Sequence, residues 1–403
     1  AGGSAASGGA TAAPAPLDGS VDAPLDAPLE EPLEEPLEEP LSVRDLQRAA
    51  ARRLPRMTFD YYASGADDER TLGDNEAAWG RARLRPRVLV DVGARALATT
   101  VLGTPVRAPI LVAPTAFHRL AHADGELATA RAAAAAGTVL TLSTLSTTTL
   151  EEVAAAHDAA RAAGGVREGA RWFQLYVYRD RGVTRSLVER AEAAGYAAIV
   201  LTVDTPMFGQ RERDVRNRFA LPPGLGVANL APRGWEQVDD ATAGSALAAY
   251  AAALLDPTIT WRDVEWLRGV TRLPVLLKGV LRGDDARRGV AHGAAGIVVS
   301  NHGGRQLDGS VATADALAEV VDAVDGGAEV LVDGGIRRGG DVLVALARGA
   351  RAVLVGRPVL WGLATGGEGG VARALGMLHR ELDLAMALAG CPHVADVGRD
   401  LLA

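Results

Sequence analysis

Between about residues 105 and 390, eight short apolar runs alternate with Ala-rich stretches of helical length, and the reactive side chains gather at the C-terminal ends of the runs. These two observations predict an α/β protein built as a (β/α)8 TIM barrel, with its functional face at that end of the strands. A doubly wound open sheet is the competing reading, but eight repeats with no early GxGxxG fingerprint argue against it. Before the barrel, the sequence predicts an N-terminal helical segment and a disordered acidic tail. The expected domains are therefore 1–42 and 43–403.

The tail opens on small residues and runs into PLDAPLEEPLEEPLEEPL. Proline at every fourth position forbids a helix, and the apolar surface is too small to offset the entropy of ordering. Nine acidic residues and no Lys or Arg fall within 1–42, so the formal charge of −8 belongs to the tail and the remainder stands at +1. With no basic stripe, nucleic acid is not an expected partner. Ser42 reads as the N-cap of VRDLQRAAARRL, a helix ended by Pro55. Tyr61 and Tyr62 follow, before a Gly-containing turn; adjacent side chains point different ways, so at most one is expected to serve a site.

Strands are expected at 110–116, 138–144, 172–178, 198–204, 274–278, 296–300, 329–333 and 352–356. Between them lie GELATARAAAAAG, TLEEVAAAH, GVTRSLVERAEAAG, WRDVEWLRGV, GDDARRGVAHG, TADALAEVVDAV and GGDVLVALARGA, most of them ending near glycine. Taken strand by strand, the C-terminal ends carry Thr115, then Ser143, then Gln174 and Tyr176, then Thr202 and Asp204. Lys278 closes the fifth, Ser300 and His302 the sixth, Asp333 and Gly335 the seventh, Gly356 and Arg357 the eighth. The longest interruption, 205–260, begins TPMFGQRERDVRNRF and later contains SALAAYAAALL; it reads as a lid or binding loop with one packed helix.

The stretch GIVVSNHGGRQLDG, 296–309, runs from an apolar strand into His302, two glycines and Arg305. Alone, His302 reads as part of a polar turn. Beside Arg305 it places a proton acceptor next to an anion clamp. Lys278 is the only lysine, against 41 arginines, which points to a site that needs a compact ammonium a planar fork cannot replace. VDGGIRRGGD and VLVGRPVLWG offer glycine-freed amides with Arg337 and Arg357, a phosphate cradle where such barrels commonly hold one. The sole lysine rules out a P-loop. HRLAH at 118–122 lacks the Glu of HExxH, so no metal is expected. A single cysteine, Cys391, excludes a disulfide framework and suggests a reducing, cytoplasmic compartment. No run of 18 apolar residues occurs, and AGGSAASGGA lacks the basic and apolar regions of a signal peptide.

In order along the chain, APTAFHRLAH, QLYVYRDR, LTVDTP, LLKGV, SNHGGRQLDG, LVDGGIRRGGDV and VGRP resemble the motif set of the FMN-dependent 2-hydroxy acid oxidase/dehydrogenase family. DYYASGADDE resembles that family's N-terminal tyrosine segment, and the likeness covers about 43–395. The resemblance implies FMN at the barrel mouth, its phosphate at Gly335, Arg337, Gly356 and Arg357. Thr115, Ala116, Ser143, Gln174, Thr202 and Ser300 would line the isoalloxazine, Asp333 the ribityl chain, and Lys278 the N1–C2=O edge, where an ammonium stabilises charge gained on reduction. His302 would be the base and Asp204 the group that stabilises its imidazolium. Arg305 and Tyr61 would hold the substrate carboxylate, with Arg211 as a second cation, and Tyr176 would bond the hydroxyl.

The implied reaction oxidises an (S)-2-hydroxy acid to the 2-oxo acid. Oxygen is the expected acceptor, because no haem domain precedes the barrel and no membrane-anchoring run interrupts 205–260; Ala116 leans the same way. A dehydrogenase passing electrons to a quinone or carrier protein is the alternative. A non-catalytic barrel scaffold would predict damage to His302, Arg305 or Lys278, and all three are intact. A phosphate-binding isomerase without flavin is the remaining option. There is one departure: Leu145 stands where the glycolate-type enzymes carry a tryptophan, with Phe208 as a second wall, so a longer or aromatic acid is expected rather than glycolate. Related enzymes imply a homotetramer.

Overall fold

A computed structural model describes residues 1–3, 39–238 and 244–403; most of the expected tail, 4–38, lies outside the described residues. From Glu39 to Ala403 the chain is one compact unit.

An antiparallel hairpin, β1 (Thr99–Val101) and β2 (Thr104–Val106), precedes the barrel and was not expected from the sequence. Eight parallel strands then follow: β3 (Ile110–Val112), β4 (Leu140–Leu142), β5 (Arg171–Leu175), β6 (Ala198–Thr202), β7 (Val275–Val280), β8 (Gly296–Val299), β9 (Glu329–Val332) and β10 (Ala352–Val355). Each pairs with its successor, and β10 pairs with β3 to close the barrel. The (β/α)8 expectation therefore holds.

The strands are buried on both faces, which is why they read as unbroken apolar runs. Alternate residues divide two cores. Leu111, Trp172, Val200, Leu276, Val298, Leu331 and Leu354 form one cluster with Val101 and Val106, so the hairpin packs into the inner layer. Val112, Phe173, Leu201, Leu277, Val299, Val332 and Val355 belong to the outer layer, against the helices.

Most strands end before the apolar run does. Thr115, Ser143, Tyr176, Asp204, Ser300, Asp333 and Gly356 all lie just past a strand end, whereas Gln174, Thr202 and Lys278 remain within the ladder. Leaving the ladder frees a residue from strict in–out alternation, so neighbouring residues can face one mouth.

Ser42 caps the helix Val43–Arg53, its Oγ accepting from the Asp45 N–H at 3.3 Å. The segment after Tyr62 holds a helix, Arg70–Arg81, where the sequence suggested only a turn. Its start is set by Glu69, a non-glycine in the left-handed region at φ 60°, which local sequence does not announce. Within the long interruption, Ser245 caps the expected packed helix Ala246–Leu254. The last helical stretch, Arg357–Ala389, breaks at Gly366 and Gly367 and packs against both Val43–Arg53 and Gly125–Ala135. No helix among the described residues is long and apolar enough to cross a membrane.

Candidate active site

At the C-terminal ends of the strands lies a cavity of about 990 Å³, counting the space open to solvent. Every barrel strand contributes to its lining: Thr115 and Ala116 after β3, Ser143 and Leu145 after β4, Gln174 and Tyr176 at β5, and Thr202, Phe208 and Arg211 from β6 and its loop. Lys278, His302 with Arg305, Asp333 with Gly335 and Arg337, and Gly356 with Arg357 complete the ring, and Tyr61 enters from the N-terminal helices. Of the residues expected at the site, Asp204 and Ser300 do not border the cavity. They stand behind His302 and Lys278.

His302 occupies the left-handed region at φ 59°, a conformation of modest cost that turns its ring off the end of β8. Its Nδ1 lies 3.0 Å from Asp204 Oδ1, and its backbone N–H donates to Ser300 Oγ at 3.0 Å. Burial lowers the imidazole pKa below its ordinary value, against the opposing pull of Asp204. Burial alone would raise the Asp204 carboxyl; the His302 ring and the Lys278 ammonium outweigh it and hold the group below the usual carboxylate range. Gly279, directly after Lys278, has φ +111°, and a Cβ there would stand 2.5 Å from both Cβ and Cγ of Asp204. Only glycine admits that carboxylate beside the strand.

Lys278 is almost fully buried. Its Nζ donates to Ser300 Oγ at 2.9 Å and pairs with Asp333 Oδ2 at 2.8 Å. Burial would lower its pKa, but Asp333 and Asp204 raise it, so the ammonium stays charged. Beside it, Gln174 accepts from Ser143 Oγ (3.2 Å) and Thr144 N–H (3.1 Å) and donates to Thr202 Oγ1 (3.0 Å), joining the ends of three strands.

Two guanidiniums of the lining, Arg305 and Arg211, lack any carboxylate within salt-bridge distance among the described residues. Arg305 Nη1 donates to the carbonyls of Tyr61 (2.7 Å) and Ser64 (2.8 Å), with its guanidinium carbon 5.1 Å from the Tyr61 ring centre. Arg211 lies 4.8 Å over Phe208, and its buried Nε has no hydrogen-bond partner among the described residues. Burial, then the neighbouring Arg305, pulls the Arg211 pKa down to about 10. Two neighbouring guanidiniums make this part of the lining electropositive. Both tyrosines of the N-terminal pair border the cavity, but their polar ends are used differently. Tyr61 stacks on Phe219 at 4.3 Å, and the Tyr62 hydroxyl is spent on the Phe117 carbonyl at 2.6 Å.

The third wall is glycine-rich. Gly335 has φ +79°, and a Cβ there would fall 1.9 Å from the Asn75 carbonyl oxygen. Arg337 pairs with Glu76 at 2.9 Å, and its buried Nε has no hydrogen-bond partner among the described residues. Gly356 caps the helix that begins at Arg357; in its first turn Pro358 has no N–H, and the Val359 and Leu360 amides donate to the Gly356 carbonyl at 2.9 and 3.2 Å. Arg357 departs from a simple anion clamp: it donates to the carbonyls of Tyr62 (2.9 Å), Gly303 (3.0 Å) and Ser64 (2.9 Å), fastening the N-terminal helices to the β8 loop.

Residues 50–403 match the family described as FMN-dependent dehydrogenase. The chain belongs to that family. Among its relatives, an L-lactate oxidase of Nostoc sp. is 56% identical over 358 residues, 89% of this chain and 96% of that protein. Glycolate oxidase 1 of Zea mays is 53% identical over 89% of this chain and 94% of its own. A crystal structure of mandelate oxidase with (S)-4-hydroxymandelic acid superposes with a TM-score of 0.83 at 48% identity, covering 90% of this chain and 98% of that one.

The donor set fits the family's FMN. Glycines 334 and 335, the Arg357 helix start and the orphaned Arg337 Nε suit a phosphate, and the orphaned Asp333 Oδ1 suits a hydroxylated chain. The Gln174 network and Lys278 suit the polar edge of a ring. Family membership makes the protein an FMN-dependent oxidoreductase.

Sequence reasoning missed Leu247, Ile336, Pro358 and Leu360 in the lining. Leu247 comes from a helix over 40 residues beyond the nearest strand end, and no local signal marks it. Gly279 could have been found, since it adjoins the sole lysine.

Proposed function

We propose that this protein oxidises an (S)-2-hydroxy acid to the 2-oxo acid at FMN, with oxygen as acceptor and hydrogen peroxide as product. The observation that carries the reading is one cavity lined by His302, itself paired with Asp204, together with a buried ammonium and two guanidiniums that have no carboxylate partner among the described residues. When bound, FMN supplies a two-electron acceptor. Gly335, Arg337, Gly356 and Arg357 hold its phosphate; Thr115, Ala116, Ser143, Gln174, Thr202 and Ser300 surround its ring, directly or from behind; Asp333 takes the ribityl chain.

Arg305 and Arg211 bind the substrate carboxylate, with Tyr61 against it and Tyr176 bonding the hydroxyl. With Nδ1 turned to Asp204, Nε2 of His302 is the atom free to take the proton. Burial keeps that ring neutral near pH 7, as a base must be, and Asp204 stabilises the imidazolium that follows. Lys278 stabilises negative charge gathered on the ring. Leu145, Phe208 and Leu247 supply an apolar wall, which supports a substituent larger than the hydrogen of glycolate. The relatives' names, lactate, glycolate and mandelate oxidases, support the reaction and the acceptor and leave the side chain of the acid open.

The same reading takes the protein as a cytoplasmic homotetramer. Exposed Leu384 and Leu388, one helical turn apart, and exposed Val88 and Leu89 support self-association.

The test is the visible spectrum of the purified protein during anaerobic addition of glycolate, lactate, 2-hydroxyoctanoate and mandelate. Flavin bands that bleach with one acid and return in air are expected. Bleaching that persists in air until a quinone is added overturns the oxygen assignment, and absence of flavin after FMN addition overturns the whole reading. Glycolate outpacing mandelate and hydroxyoctanoate removes the size argument.

A further inference from the structure

Behind the Thr115 side of the cavity lies a buried cluster that the proposed chemistry does not use. His118 is 3% exposed, with Nε2 2.6 Å from Thr115 Oγ1 and Nδ1 3.0 Å from Thr129 Oγ1. Thr129 sits in the helix Gly125–Ala135, where its hydroxyl donates to the Gly125 carbonyl one turn earlier, at 3.4 Å. A hydroxyl has one proton to give. With that proton turned to Gly125, Thr129 Oγ1 accepts from the ring, and Nδ1 carries the hydrogen. Burial favours the neutral imidazole despite the nearby Glu126 carboxylate, so Nε2 is bare.

A bare Nε2 accepts, and the group within reach is the Thr115 hydroxyl. The surroundings hold the backbone of this segment in place. Glu126 accepts from the backbone N–H groups of His118 (3.1 Å) and Thr147 (2.8 Å) and from the hydroxyls of Thr147 (2.7 Å) and Thr148 (3.0 Å). The Thr115 methyl rests against Gly356, where a Cβ would approach to 3.1 Å.

We propose that His118 is a positioning residue: held by Thr129 in the Nδ1–H tautomer, it accepts the hydrogen bond of the Thr115 hydroxyl at Nε2, so that Thr115 keeps its proton turned to His118 and presents a lone pair of Oγ1 to the cavity. The consequence rests on the functional reading, in which Thr115 borders the FMN ring. Reduced FMN carries ring N–H hydrogen that the oxidised form lacks, so an acceptor at its edge favours reduction.

Two measurements test this. The first is ¹⁵N NMR of histidine-labelled protein, in which seven histidines must be resolved and H118Q identifies the His118 signals. A protonated Nδ1 with a pyridine-type Nε2 is expected; a protonated Nε2 overturns the proposal. The second is the midpoint potential of the flavin in four proteins: wild type, H118L, T115V and T115V/H118L. H118L frees the Thr115 proton to point at the ring, and about a tenfold loss in relative affinity for reduced FMN is expected, about 30 mV for a two-electron couple. H118Q, whose amide oxygen can still accept from Thr115, should return most of that shift. In the T115V background H118L should change nothing further. An equal shift in both backgrounds, or no shift in H118L, overturns the proposal. A protein without flavin would defeat the functional reading alone, because the tautomer is still measured.

Discussion

Replacing Asp204 with asparagine isolates what its charge does for His302. The side chains are isosteric, and the amide oxygen can keep the 3.0 Å contact with Nδ1. The amide nitrogen then takes the place of Oδ2, which has no hydrogen-bond partner among the described residues, so no further hydrogen bond is broken. At 3.0 Å and an effective dielectric of about 20, an imidazolium and a carboxylate attract by about 5 kcal/mol, an upper bound. Hydrogen bonds to charged groups contribute about 1.5–3 kcal/mol net, so about 2 kcal/mol of transition-state stabilisation should disappear, about 30-fold in kcat/KM. The pH profile adds a second signature. Activity requires neutral His302, so kcat/KM rises through its pKa. Asp204 favours the charged ring, and removing it lowers that pKa further and moves the acid limb to lower pH. The assay is anaerobic flavin reduction by substrate from pH 5 to 9. A D204N rate within threefold of wild type, with an unmoved acid limb, would refute the pairing as the source of basicity.

Three further outcomes follow from the same geometry. G279A forces a Cβ to 2.5 Å from Asp204 and places alanine at φ +111°, so it should reproduce the D204N pH shift and lower stability by about 2 kcal/mol in urea unfolding; a wild-type pH profile would count against the close fit. K278M leaves Asp333 and Asp204 buried without their cation, a loss of about 3–5 kcal/mol, and K278M/D333N should recover much of it; equal stability of single and double variants would show that the pair is not the source. L145W should shift the kcat/KM ratio of glycolate to mandelate toward glycolate by about tenfold or more, by filling space at the apolar wall; an unchanged ratio would remove Leu145 from specificity.

The sequence alone determined the barrel and its functional end. Both faces of each strand must be buried, so apolar runs mark the strands, and the residues that leave the ladder are the polar ones at a single end. It also singled out Lys278, because a lone ammonium in an arginine-only chain needs no neighbour to be seen. Tertiary structure decided the partners. That Lys278 meets Asp333 across two strands and that Arg357 donates to the Tyr62 carbonyl are facts about residues 55 and 295 positions apart. Hydrogen bonds of that range depend on how loops cross the mouth, and no local pattern encodes them. The hairpin packed into the inner core, the helix after Tyr62 and Leu247 in the lining escaped for the same reason: each is stabilised by contacts with distant elements rather than by its own periodicity.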